Sequence, residues 1–332
     1  MSINTNNSNT CIILLNWNNA EDTIACLKAI RQLTIKPEAV IVCDNGSTDD
    51  SLSKIKDWAV VNYKEVISTL ASAPIKQSLS KKKPFPEFLI VKNGANLGYA
   101  AGNNSGLRLA MTNHSFEFIW LLNNDTKPTK DALKHLEICA AGNPSAVIFG
   151  STIVNADNSN IVQCAGGYKY YPATTICRPV FKNKTLEFIL HQSAPELDYI
   201  YGASFFVRAN IFRSCGLLNE DYFLYFEEID FCTKVKRAGH HLKWCQNSIV
   251  EHKGGATIAN QKTSKALRKS AEYHENISAL KFSKNWHPRL LFFILPFRFF
   301  GKLTMYSLRL EWHLIGDLLQ AYLDFMNPKH ML

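Results

Sequence analysis

The chain has 332 residues, 46% hydrophobic and 20% charged, with a formal net charge of +9. This ordinary globular balance leaves room for one large domain, or for one domain with a sizeable extension. It excludes several classes. The nine cysteines are odd in number and lack the close pairs of a zinc or redox motif, and no nucleic-acid motif accompanies the positive charge.

Met1–Thr10 is polar and rich in Asn, without the basic and apolar regions of a signal peptide. Cys26, Cys43, Cys139 and Cys232 sit in apolar or helical contexts and read as small buried thiols, which favours the reducing cytoplasm. The charge is uneven. Lys262–Lys302 carries nine Lys or Arg against two acids, Glu272 and Glu275, beside apolar residues, which suits anionic lipid or a phosphorylated partner better than nucleic acid.

In chain order, Cys11–Leu15 is a compact apolar strand that ends in Asn16-Trp-Asn-Asn19. Ile24, Leu27, Ile30 and Leu33 then recur at helical spacing and give one apolar face. Ala39–Cys43 is a second buried strand, ending in Asp44-Asn-Gly-Ser-Thr-Asp49, where Ser47 or Thr48 can cap the next helix. The β-α-β-α order implies a parallel sheet with right-handed crossovers. From about Ser72 to Pro86 the chain is rich in Ser, Lys and Pro, including Lys81–Lys83, and reads as an exposed loop.

Phe88–Val91 is a third strand. The glycines and small residues of Asn93–Asn104 follow it into a helix, where backbone amides can approach an anion or simply make a tight turn. Phe118–Leu122 is a buried strand that delivers Asn123, Asn124 and Asp125 at its carboxyl end, the place where open α/β sheets bind ligands. Asp125 can alternatively turn the chain. Thr129 can cap the helix that follows, and Ala146–Phe149 is a further strand. Asn155–Leu197 reads as loops and short strands. Tyr199–Val207 is strand-like, and Phe223–Phe226 runs into the acidic start of a helix, Glu227-Glu-Ile-Asp230. Extended chain at Leu242–Cys245 and Ser248–Val250 ends at His252, with glycines after it.

Each polar cluster has a structural and a chemical reading. Asp44 makes an Asx turn or accepts from a nucleobase imide. Asp125 can hold a divalent cation on a diphosphate. His252 is a structural histidine or a ligand. Glu227, Glu228 and Asp230 either complement the helix macrodipole or, against apolar surface, supply a general base.

Taken in order, Ile13-Leu-Leu-Asn-Trp-Asn18, Cys43-Asp-Asn-Gly-Ser-Thr-Asp49, Asn96-Leu-Gly-Tyr-Ala-Ala-Gly-Asn-Asn104 and Leu121-Leu-Asn-Asn-Asp-Thr126 resemble family 2 glycosyltransferases. Tyr201-Gly-Ala-Ser204, Phe223–Asp230, Arg237-Ala-Gly239 and Glu251-His252 continue the match, which covers roughly residues 11 to 256. The similarity is greatest to the rhamnosyltransferase-like branch of bacterial surface-polysaccharide enzymes. It implies a GT-A fold, with a Rossmann-like, mostly parallel sheet flanked by helices, over residues 1–257, and a helical extension over residues 258–332.

The resemblance also implies roles. Asp44 would contact the base with Asn45 beside it, and Asn16 would lie near the nucleotide. Asn96, Gly98 and Asn103 would shape the diphosphate-sugar pocket, joined on the donor side by Asn123 and Asn124. Asp125 and His252 would hold Mg or Mn. Glu228 would be the catalytic base of an inverting displacement, with Glu227 as second choice. Asn123 occupies the first acidic position of the family's metal motif, so one carboxylate remains there. Trp17 stands where Tyr is frequent, and Glu228 where Asp is common. Expected partners are a nucleotide-sugar donor, for which the branch resembled suggests dTDP-rhamnose, and a saccharide or lipid-linked saccharide acceptor.

Beyond Ile258, Lys262, Lys265, Arg268 and Lys269 recur at helix-like spacing as a basic face. In Arg289–Phe300 the apolar run is interrupted by Arg289, Pro296 and Arg298, with Lys302 following, which leaves it short for a membrane span. It reads as an interfacial amphipathic segment with cations at headgroups, on the inner face of the cell membrane, or as a helical hairpin packed on the core or forming a homodimer. Two rival functions remain. A sugar-nucleotide pyrophosphorylase would carry a glycine-rich basic signature near the N-terminus, which is absent. A degenerate nucleotide-sugar-binding scaffold would not need Glu227, Glu228 and Asp125.

Overall fold

The apolar runs that end in polar residues become strands of one sheet. The structure, a computed structural model, describes residues 7–72, 85–113, 115–193, 195–254 and 265–327. Lys81–Lys83, Gly255, Lys262 and the expected domain boundary at 257/258 lie outside the described residues.

Five strands run parallel in the first half: β1 (Asn7–Asn16), β2 (Lys36–Asp44), β3 (Val66–Leu70), β4 (Phe88–Lys92) and β5 (Phe118–Asn123), in the order β3-β4-β2-β1-β5. The order steps outward from β1 on one side and returns to β5 on the other. The junction of β1 and β5 is therefore the switch point at which such sheets leave a ligand crevice. Asn16 ends β1 beside Asp44 of β2, and Asn123 of β5 stands in register with Leu15.

The second half departs from a purely parallel pattern. After β6 (Thr126–Pro128), β7 (Ala146–Asn155) and β8 (Asn158–Ala165), the sheet takes in β12 (Ser204–Arg208), antiparallel to both β5 and β7. Strand β13 (His241–His252) lies parallel to β7 and antiparallel to β6. The stretch expected as short strands and loops supplies β9 (Gly167–Tyr171) and β10 (Ile176–Pro179), which join β11 (Tyr199–Ile200) in a separate three-stranded sheet.

Alternation sorts the strand residues onto two buried faces. Ile12, Leu14, Val40 and Val42 pack with α1 (Ala20–Arg31) and α2 (Ser51–Asn62), whereas Cys11, Ile13, Ile41 and Cys43 pack with α3 (Gly98–Asn113). α4 (Ala132–Ala141) joins the first face. Two short helices, α5 (Leu186–Leu190) and α6 (Asn210–Ser214), precede α7 (Glu227–Arg237), which packs on the second face.

Two expected caps are replaced. α2 begins after Asp50, and the Ser47 hydroxyl donates instead to Asp44 at 2.6 Å. α4 begins after Asp131, and the Thr129 hydroxyl donates to the Ile249 carbonyl at 3.0 Å. Cys139, expected as a free buried thiol, is bonded to Cys245, with Cα atoms 5.7 Å apart and a sequence separation of 106. That separation hides the neighbour from the sequence. Cys26, Cys43 and Cys232 are buried thiols.

The C-terminal region forms α8 (Lys265–Trp286), α9 (Leu291–Leu308) and α10 (Ile315–Met326), with a small core of Leu280, Ile294, Tyr306, Leu314, Leu318 and Tyr322. α8 is fastened to the loop before α7. Ser278 donates to the Leu224 carbonyl at 2.9 Å, Lys281 to the Asp221 carbonyl at 2.9 Å, and His274 stacks on Phe223 at 4.4 Å. Lys265 and Lys269 are exposed, but Arg268 pairs with Glu311. Arg298 and Lys302, expected at lipid headgroups, turn inward to Glu275 and Glu272. The cause is that those acids, counted in the sequence only against the basic excess, face α9 across the helix contact.

The expectation that Pro296 cuts the apolar run short is also corrected. α9 continues through it, and Pro288–Leu308 is 21 residues with mean hydropathy 1.2, long and apolar enough by those measures to cross a membrane.

Candidate active site

Three strand ends meet through side-chain amides. Asn16, fully buried, donates to Asp44 at 3.0 Å and to Ser47 at 3.1 Å, and accepts from Thr23 at 2.7 Å. Asn124 donates to the same Thr23 hydroxyl at 2.9 Å. One chain of hydrogen bonds therefore ties β1, β2, α1 and the turn after β5. Ser47 NH also donates to Asp44 at 3.2 Å, so the Asx-turn reading of Asp44 holds.

Asn45 organises the loop before α3. Its amide donates to Asn96 at 2.9 Å and to the Gly98 carbonyl at 3.2 Å, while its oxygen accepts from Asn93 and from Leu97 NH. Gly98 has φ 78°, and a β-carbon there would lie 2.2 Å from the Phe223 carbonyl oxygen, so only glycine fits. Tyr99 NH donates to that same carbonyl at 2.7 Å, joining this loop to the one before α7. Asn103 is buried in α3, its amide on the Tyr99 carbonyl at 3.0 Å.

Asp125 and His252 come together although 127 positions separate them: His252 Nε2 lies 3.3 Å from Asp125 Oδ1. Gln163 fixes the ring. Its NH2 donates to the His252 carbonyl at 2.7 Å, which turns its oxygen to Nδ1 at 3.0 Å. Nδ1 therefore donates to Gln163, and Nε2 faces Asp125 and whatever binds beside it. An imidazole nitrogen and a carboxylate oxygen suit a divalent cation as two of its ligands. Among the described residues no third His, Cys, Asp or Glu completes such a cluster.

The acidic trio divides its labour. Tyr225 and Phe226 adopt left-handed φ of 67° and 70°, uncommon for aromatic residues, and this corner starts α7. Asp230 faces back into the fold, accepting from Tyr222 at 3.2 Å and from Trp286 of α8 at 2.6 Å. Glu227 is buried with Oε2 unpartnered, and burial followed by the charge of Glu228 pushes its carboxyl well above the usual range. Glu228 instead opens into a cavity lined by Tyr168, Tyr199, Tyr201 and Tyr225. Burial raises its carboxyl to about 6, against backbone NH groups that lower it.

The carboxylates of Glu228 and Asp125 both act on Tyr99 and on Tyr201, after burial, to raise their phenols. Tyr201 also lies edge-on to His252 at 5.6 Å. Glu228 and the His252–Asp125 pair therefore border the same tyrosines. Gln163, Tyr168, Tyr199 and Gly202 went unassigned in the sequence. Tyr201 and Gly202 fall within a matched motif that named no role, and Gln163 lies in a stretch with no period.

The model of the family described as Glycosyl transferase family 2 matches residues 11–207. Over 217 residues, 65% of this chain and 67% of the relative, the chain is 23% identical to the low-salt glycan biosynthesis hexosyltransferase Agl10 of Haloferax volcanii. Among solved structures it resembles the mannosyltransferase PcManGT of Pyrobaculum calidifontis in complex with GDP-Man and Mn2+. The TM-score is 0.54 at 13% identity, over 97% of this chain and 88% of that one. It also resembles GalNAc-T7 with UDP, GalNAc and Mn2+, with TM-score 0.55 at 11% identity, over 83% of this chain and 51% of that one. The sheet, its flanking helices and these likenesses give a GT-A fold with C-terminal helices. The chain belongs to glycosyl transferase family 2 and is a glycosyltransferase.

Proposed function

We propose that the chain moves a sugar from a nucleotide-diphosphate donor to a hydroxyl of a saccharide acceptor, carried on lipid, by a single inverting displacement. The observation that carries this reading is Glu228, a carboxylate raised to about 6 in an aromatic cavity beside the His252–Asp125 pair. Near neutral pH such a group is ionised yet basic enough to take a proton in the transition state. Glu228 removes the acceptor's hydroxyl proton as that oxygen bonds to the anomeric carbon. The bond from the anomeric carbon to the diphosphate breaks as the new one forms, and the diphosphate leaves with the electron pair. Glu227 has no cavity exposure of its own, and burial and the charge of Glu228 favour its protonated form, which leaves Glu228 as the ionised carboxylate.

Asn16, Asp44 and Asn45 hold the nucleoside end of the donor. Asn96, Gly98 and Asn103 shape the pocket of the diphosphate and sugar, and Asn123 and Asn124 complete the donor side. Asp125 and His252 would hold a divalent cation, which when bound offsets the charge growing on the diphosphate. The similar structures are complexes with GDP-Man and Mn2+ and with UDP, GalNAc and Mn2+, which supports a donor and a metal of these classes. Residues 1–257 form the transferase domain in this reading, and residues 258–332 the extension that meets the cytoplasmic face of a membrane.

The test is a panel of nucleotide sugars, with dTDP-rhamnose included on the strength of the motif resemblance. Binding and hydrolysis are measured for the wild type and for Glu228→Gln. Donor binding retained with turnover lost by at least a hundredfold supports the assignment; undiminished turnover removes Glu228 from the role of base.

A further inference from the structure

The cavity that receives Glu228 is closed on its far side by the C-terminal helices. Its wall runs from Tyr168, Tyr199 and Tyr225 to Glu275 of α8 and Arg298 of α9, and it encloses about 730 Å³. The polar part of this wall is rigid. Arg298, only 7% exposed, donates to Asn276 at 3.0 Å, to Thr175 at 2.7 Å and to Glu275 at 3.0 Å. Lys302 reaches Glu272 at 2.9 Å and Glu275 at 2.7 Å. The Tyr168 and Tyr199 rings stack at 5.0 Å. Aromatic faces with a few fixed polar groups suit a sugar, whose ring presents both CH faces and hydroxyls.

The same cavity opens onto a second hollow of about 750 Å³, with which it shares Thr174, Phe297 and Gly301. This groove continues along α9 past Phe293, Pro296 and Phe300, and no charged side chain lines it among the described residues. Phe292, Phe293 and Phe300 are 81%, 63% and 62% exposed, a contiguous apolar patch of the kind that marks an interaction site. A flat membrane would cover these phenylalanines and leave the cavity unfilled. A free saccharide would fill the cavity and leave the phenylalanines in water. One molecule with a saccharide end and a long apolar end fills both.

We propose that the C-terminal helices complete the acceptor site, which takes a saccharide on a long apolar chain. The sugar enters beside Glu228, and the chain lies in the phenylalanine groove of α9. The placement of the sugar end rests on Glu228 as the reaction centre.

The full chain is titrated calorimetrically with dodecyl and methyl glycosides of the same panel of sugars, below the micelle concentration. The dodecyl member is expected to bind at least tenfold tighter, with the ratio falling toward one in a Phe293→Ser/Phe300→Ser double variant. No binding of any dodecyl glycoside, equal affinity for the two, or a ratio that survives the double variant would each overturn the proposal. Equally tight binding of a dodecyl chain on a sugar-free zwitterionic headgroup would reduce the groove to a membrane-docking surface and overturn it as well. So would a concentration-dependent dimer, seen by sedimentation, that excludes the dodecyl glycoside. Glu228→Gln separates this proposal from the catalytic one: a retained ratio with transfer intact removes Glu228 as base but leaves the acceptor groove supported.

Discussion

Gly202 and Glu228 are packed so closely that a β-carbon on residue 202 would lie 2.7 Å from Oε1 of Glu228. The backbone of the turn between β11 and β12 thus sets where the carboxylate can point. Tyr99 strengthens the contact by donating its phenol to the Gly202 carbonyl at 3.1 Å.

Gly202→Ala should therefore impair turnover far more than stability. The atom displaced is the free end of a flexible side chain, so the fold can yield at small cost. A catalytic group moved by about 1 Å can lose on the order of a hundredfold in rate. Turnover within twofold of wild type, with an unchanged denaturation midpoint, would show that Glu228 need not sit where it does.

The pH response carries a definite sign. As a base, Glu228 works deprotonated, so turnover should rise with pH and level off above about 6. Stability runs the other way. A carboxyl with folded value about 6 against an ordinary 4.5 holds its proton longer in the fold, so its contribution weakens as pH rises from 4.5 to 6. The difference amounts to about 2 kcal/mol above that window. Glu228→Gln should be more stable than wild type at pH 7.5 and nearly equal to it at pH 4, measured by urea denaturation. Equal stability at both pH values would contradict the buried-carboxylate account.

Cation binding should depend on the donor. In the proposed reading Asp125 and His252 would supply two ligands, and a divalent ion needs more, which phosphate oxygens can supply. Calorimetry should find Mn2+ bound weakly to the free protein and at least tenfold more tightly with a nucleoside diphosphate present. Asp125→Asn should erase that gain, and chelator should abolish wild-type turnover reversibly. Tight Mn2+ binding without nucleotide would require further protein ligands.

Arg298 is the most heavily bonded charge in the C-terminal helices. Arg298→Met leaves Thr175, Asn276 and part of Glu275 without their donor, and leaving such buried acceptors unpaired costs about 1–3 kcal/mol, less for the partly exposed Glu275. In the wild type, burial opposes the charge of Glu275, but Arg298 and then Lys302 outweigh it and hold the carboxyl at about 2. Its stabilising share is thus present above pH 4.5 and lost as pH falls toward 2. Urea midpoints across pH should show that slope in wild type and a shallower one in the variant.

Much of the site was legible because it sits on strand ends. An apolar run that stops at polar residues marks both the strand and the carboxyl edge where it delivers them, and Asn16, Asp44 and Asn123–Asp125 do converge at the switch point. Residue chemistry did not choose between Glu227 and Glu228, although the motif resemblance ranked Glu228 first. Adjacent residues in the first turn of a helix point about 100° apart, and only the left-handed corner at Tyr225 and Phe226 aims one inward and the other at the cavity. Gln163 was invisible, since nothing in its neighbourhood links it to His252.

The C-terminal helices show the same division. Composition identified a basic and apolar extension, but placed Arg298 and Lys302 at headgroups because charge near apolar sequence usually seeks water. Helix packing decided otherwise by setting Glu272 and Glu275 opposite them. The sequence by itself indicated the first β-α-β-α units, the polar strand ends and the family, because these depend on periodicity and residue type along the chain; it passed over β3, Val66–Leu70. The tertiary structure alone decided which carboxylate meets the cavity, which histidine nitrogen faces Asp125 and which cations turn inward. Those depend on distances between residues far apart in the chain, which no local pattern records.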